Sequence, residues 1–171
     1  GFDGKAFPNN ELLRMELDSK KVQLEDEAKS HLRNIALSLI PEDPNCKDTT
    51  WPNGCRDLIT GIMYAMLEDS RDPRLGMTVD KFNFFNLYKI SMTKDPAGER
   101  DSALKTLTKY SEGRDPIHSN VHNLMSSVCL ASPTTQRSFL ATLGSSVGKT
   151  LGDDGILYMT CLLYTSDAAD D

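Results

Sequence analysis

The chain has 171 residues, 25 acids against 19 bases for a net charge of -6, and 39% hydrophobic residues. That size and balance suit one globular domain or a large piece of a longer protein, and exclude a disordered or collagen-like chain. No apolar run approaches the roughly 20 residues of a membrane span, and the acid excess argues against a surface built chiefly to grip phosphates.

Residues 1–24 are polar, carry Pro8, Asn9 and Asn10 as breakers, and read as an irregular lead-in to a helix. From Glu25 the pattern sharpens: Leu32, Ile35, Ala36, Leu39 and Ile40 make a one-faced helix that Pro41 stops. Glu25, Asp26 and Glu27 suit its first turn, where carboxylates meet the positive end of the helix dipole. A proline-rich loop runs from Pro41 to Pro52. A second helix follows from about Gly54 to Glu68, with Leu58, Ile59, Ile62, Met63, Met66 and Leu67 as its stripe.

Asp69 to Pro73 break that helix and Gly76 lies in the following turn; Glu68 and Asp69 read as turn residues rather than acid–base groups. Thr78 is an N-cap candidate for a third helix through Val79, Phe82, Phe85, Leu87 and Ile90. After the break at Asp95-Pro96-Ala97-Gly98, a short fourth helix carries Ala103, Leu104, Leu107 and Tyr110. Val121, Leu124, Met125, Val128 and Cys129 mark a fifth. Ser132-Pro133 opens a sixth, with Phe139, Leu140, Leu143 and Val147 on its apolar face. Ile156 to Thr160 reads as a strand after the Asp153-Asp154-Gly155 turn. The fold class expected is mainly α, a helical bundle-like domain over 25–155 ending on one strand at 156–160.

Most chemical motifs fail on inspection, and no catalytic, cofactor-binding or metal-binding residue is assigned. Gly144-Ser-Ser-Val-Gly148-Lys149-Thr150 resembles a phosphate loop but has three residues where four are required, with Leu143 at the needed glycine position. It also follows a helical stripe rather than a strand, and reads as a helix end with a capping lysine. His118 and His122, at i and i+4, could share a helix face as metal ligands. They lack the accompanying carboxylate, and Cys129 sits two turns on within an apolar stripe, so exposed histidines at a helix start are the plainer reading.

Cys46, Cys55, Cys129 and Cys161 show neither CxxC pairing nor a dense framework. Between Lys81 and Arg114 seven bases stand against four acids, interleaved with Phe82, Phe84, Phe85, Tyr88 and Tyr110. Such a stretch can contact single-stranded nucleic acid, but a solvated face over a buried aromatic stripe is the plainer reading.

Several blocks, in order, carry a family resemblance. They are Leu39-Ile40-Pro41, Trp51-Pro-Asn-Gly-Cys-Arg-Asp-Leu-Ile-Thr60, Ala65-Met-Leu-Glu-Asp-Ser70, Arg71 to Thr78 with Lys81-Phe82-Asn83, Ser132 to Gly144, and Asp153 to Thr160. Together they resemble the type IV secretion coupling proteins, the TraG/TraD-like ATPases of bacterial conjugative DNA transfer. Cys55 stands where these proteins usually carry a small residue such as alanine.

The resemblance, over roughly 25–160, implies the all-helical insert of a RecA-like P-loop motor, with 156–160 as the strand returning to that motor. It implies ATP and Mg in the full-length protein, with its Walker A loop upstream of Gly1 and Walker B strand downstream of Thr160. It also implies a membrane-anchored homo-oligomer whose helical domain, at the cytoplasmic face, meets a relaxase–DNA complex, an effector protein or DNA. The competing expectation is a free-standing helical interaction module without catalytic activity.

Two features bear on the chain's limits. The start at Gly1-Phe2 lacks an initiator methionine and a signal-peptide pattern, which suggests a truncated or processed N-terminus. Cys161–Asp171 (CLLYTSDAADD) back-translates onto a transposase-type sequencing adapter read in frame, so this tail is expected to be adapter-derived. Without Asp167, Asp170 and Asp171 the balance is 22 acids against 19 bases, a net charge of -3, and the objection to nucleic acid weakens.

Overall fold

The strongest apolar stripe of the sequence becomes the centre of the molecule. In the computed structural model, which describes residues 8–91 and 104–148 with side chains from residue 19 on, the helices are α1 (Pro8–Leu39), α2 (Thr50–Asp69), α3 (Phe84–Ser91), α4 (Lys105–Ser111), α5 (Val121–Cys129) and α6 (Pro133–Leu143). α2 is buried along most of its length, with Cys55, Leu58, Ile59, Ile62 and Ala65 fully inaccessible. α1, α3, α5 and α6 pack around it, and α4 packs on α5. A helix apolar on several faces needs such neighbours, because each exposed side would leave apolar area in water at about 25 cal/mol per Å².

α1 corrects the expected irregular lead-in, since the helix begins at Pro8 rather than near Glu25. Proline suits a first helical position, where the amide it lacks would be unpaired anyway, and the Glu, Leu, Met and Lys that follow are strong helix formers. Leu32, Ala36 and Ile40 are buried against the bundle. Tyr64 of α2 donates its hydroxyl proton to the Lys29 carbonyl at 3.2 Å, with Lys29 and Arg33 both over its ring. Glu25 joins Lys29 at 3.1 Å and Arg71 at 2.5 Å, which ties α1 to the chain just past α2.

α2 also starts earlier than expected, at Thr50, because Pro52 falls in its first turn, where no intrahelical amide is needed. The Asp48 carboxylate accepts the Thr50 amide at 3.0 Å just ahead of the helix, while the N-cap residue Thr49 makes no side-chain cap bond. Beyond α2 the expected helix from Thr78 divides into a 3-10 turn at Val79–Lys81 and α3. The reason is local: Asn83 Oδ1 accepts the Asn86 amide at 2.9 Å, so the effective N-cap is Asn83, while Thr78 makes no side-chain cap bond. Gly76 stands at φ 66, the left-handed conformation its turn requires.

Ser132 caps α6 as expected, its Oγ accepting the Thr135 amide at 3.4 Å. α6 then runs directly into a π-helical turn, Gly144–Gly148, with Val147 buried. The strand expected at 156–160, the lysine at 149 and the break at 95–98 lie outside the described residues. No helix among the described residues is long and apolar enough to cross a membrane.

Candidate functional site

The two ends of α2 carry the arrangements of polar groups that the sequence left unassigned. At its N-terminal end, Arg56 donates Nε and Nη2 to the Ile40 carbonyl at 3.0 and 2.9 Å. Its Nη1 donates to Asn53 Oδ1 at 2.8 Å. The guanidinium thus satisfies a carbonyl left over at the end of α1, where no further helical amide follows. On the other side of this turn, Trp51 meets Phe139 of α6 edge-on, with ring centroids 4.8 Å apart. Gly54 makes that approach possible: a Cβ there would lie 2.2 Å from Phe139 Cε1. The Cys55 thiol donates to the Phe139 carbonyl at 3.4 Å, and burial pushes its pKa up to about 11.

A groove of about 700 Å³ with mixed polar and apolar walls opens beside this junction, between the α1–α2 loop (Pro41, Glu42, Asp43, Cys46), Arg56 and the end of α6 at Thr142 and Ser146. Glu42 and Asp43 are exposed at its mouth.

At the C-terminal end of α2, Arg114 Nη1 reaches Glu68 Oε2 at 3.1 Å and Asp69 Oδ1 at 3.0 Å. Tyr110 donates to Asp69 Oδ2 at 2.7 Å, and Ser119 to Glu68 Oε2 at 3.0 Å. Glu68 Oε1 is buried with no hydrogen-bond partner among the described residues. Burial and then the Asp69 carboxylate drive the Tyr110 hydroxyl well above the ordinary tyrosine value, so it stays a donor. Burial works against the charge on Arg114, but hydrogen bonding and attraction from Asp69 outweigh it and hold its pKa above the ordinary arginine value. Glu68 and Asp69 therefore do more than end a helix, since they clamp α2 to the α4–α5 connection.

The remaining candidate motifs are dispersed. His118 precedes α5 and lies on the exposed Asp115 carboxylate at 2.5 Å, whereas His122 within α5 sits 3.4 Å from Ser111 Oγ, so they share no helix face. Ser111 is buried and donates its proton to the Thr108 carbonyl at 2.8 Å, which leaves no free nucleophile in that contact. No group of three or more His, Cys, Asp or Glu among the described residues could hold a metal ion. Gly144 to Gly148 continue a helix, and their amides do not form a phosphate-cradling loop.

In the basic stretch, Lys89 stands over the Phe85 ring at 4.8 Å and Arg114 over Tyr110 at 4.9 Å, and Phe82, Phe84, Tyr88 and Tyr110 pack partly buried against the core. Those rings are largely taken up in packing, and Phe85 is 37% exposed.

Sequence reasoning passed over both arginine clamps. The Asn53–Arg56 pair had a visible cue in its i, i+3 spacing, while the Glu68–Arg114 contact spans too much sequence for any local signal. Comparison with known protein families, curated proteins and solved structures finds no match for this chain.

Proposed function

We propose that this chain is the helical, substrate-presenting part of a coupling protein of DNA transfer, delivering a relaxase-bound DNA or an effector protein to a conjugative channel. On this reading a P-loop motor elsewhere in the protein hydrolyses ATP with Mg, and the helices display a surface. The observation that supports the reading best is the convergence of its signature blocks. Leu39-Ile40-Pro41, Trp51 to Thr60 and the Phe139 region of Ser132 to Gly144 meet at the N-terminal end of α2 through Arg56, Trp51 and Gly54. On this reading these blocks form one junction of the helical part, beside the face that it presents.

The exposed groove bounded by the α1–α2 loop is the face this reading assigns to the transferred substrate. Sequencing the gene upstream of Gly1 tests it. A strand followed by GxxxxGK[ST] and a helix is expected there, and a start codon close to Gly1 without that element defeats the proposal in favour of a free-standing interaction module.

A further inference from the structure

The N-terminal half of α1 carries a face that packing on α2 does not use. Residues 19–24 are exposed, Leu24 at 56%. With 100° per residue, Ala28, His31 and Ile35 fall within about 40° of Leu24 on the helix surface. The sequence repeats leucine in the same register at positions 13 and 17. This stripe is separate from the buried one of Leu32, Ala36 and Ile40. It leads into an apolar groove of about 230 Å³ between α1, α2 and the start of α3, walled by Leu32, Ile35, Met63, Met66, Phe82 and Leu87.

The charges beside the stripe say what fits it. Lys20 and Glu27 are both exposed, and both lie on the same edge, roughly 40° and 60° to one side of Leu24. When two identical helices pair antiparallel about a twofold axis, like edges face each other. With the axis near Leu24, Lys20 of each copy comes opposite Glu27 of the other, and the two Leu24 side chains meet. The same register brings positions 13 and 17 of one helix opposite 35 and 31 of the other, beside its groove. Leu24 to Ile35 spans about 16 Å of helix, as does Leu24 back to position 13.

We propose that a second copy of this chain covers the groove: the two α1 helices pair antiparallel, each laying its Pro8–Leu24 half along the other's α1–α3 groove. One helix supplies both the apolar stripe and the complementary edge charges, which is the self-complementarity a twofold interface requires. The proposal does not depend on the coupling-protein reading, because it concerns the pairing of this chain with itself.

Sedimentation equilibrium of the chain tests it. The wild type should show a concentration-dependent dimer. Leu24→Glu should weaken association by at least about tenfold with an unchanged helical circular dichroism spectrum, since Leu24 is exposed. Lys20→Glu and Glu27→Lys each place like charges opposite one another and should each weaken the dimer. Mixed in equal amounts, those two variants should associate again, because every edge then meets its opposite. This mixing experiment decides the matter even where Leu24→Glu perturbs the helix. A wild type that stays monomeric at about 0.5 mM, a range that would register even weak pairing, overturns the proposal. So does a dimer indifferent to Leu24→Glu, or a mixture no tighter than its components.

Discussion

Arg114 lies between Glu68 and Asp69 with 14% of its side chain exposed, and the two carboxylates are nearly as enclosed. Removing the guanidinium leaves two shielded negative charges facing each other, a state more costly than losing the attraction itself. Arg114→Leu should therefore lower the unfolding free energy by about 3 kcal/mol, measured by urea denaturation. Removing both carboxylates as well, as Glu68→Gln and Asp69→Asn, should recover part of that loss.

Cys55 and Cys129 give a second residue-level expectation. Burial raises both thiols from the ordinary 9.0 to about 11. The unfolded chain ionises these thiols first, so their contribution is intact below pH 9 and is lost as pH rises from 9 towards 11. The loss is on the order of 2 kcal/mol for each thiol by the upper end of that window. Denaturation midpoints taken across this range should fall, and Cys55→Ala with Cys129→Ala should flatten the slope.

At the level of elements, the helices with one apolar face were legible from spacing alone. The α5 positions Val121, Met125 and Val128 and the α6 positions Phe139 and Leu143 are buried as their periodicity requires. What spacing could not give was where a helix starts, because the deciding groups are single polar atoms. Asn83 Oδ1 on the Asn86 amide, at 2.9 Å, places the start of α3 after Phe82 although Thr78 is an equally good cap by type. Pro8 is ambiguous by type, because the same residue that forbids a helix interior favours a helix start, and here it opens α1.

The clamps were less legible than the helices, since Arg56 to Ile40 and Arg114 to Glu68 depend on how helices pack rather than on local pattern. Asn83→Ala should cost about 1 kcal/mol in thermal or urea unfolding, whereas Thr78→Ala should be nearly neutral. The opposite ranking would return the cap to Thr78.

For the whole molecule, the deciding circumstance is that α2 is surrounded. α1 is held to it through Tyr64, α6 through the Trp51–Phe139 contact, and α4–α5 through Arg114. Gly61 adds a close approach, since a Cβ there would lie 2.5 Å from Met125 Cγ of α5. A helix enclosed in this way can expose its backbone amides to solvent only when its neighbours have already separated. Amide hydrogens of Leu58 to Met66 should therefore exchange last, with an opening free energy equal to that of global unfolding, and those of residues 19–24 should exchange among the fastest in the monomer. The buried centre then serves as an internal clock: one cluster of slow amides, followed by mass spectrometry or NMR, reports the lifetime of the entire folded state. Any event that protects residues 19–24 without changing that clock is a change at the surface, separate from any change in overall stability.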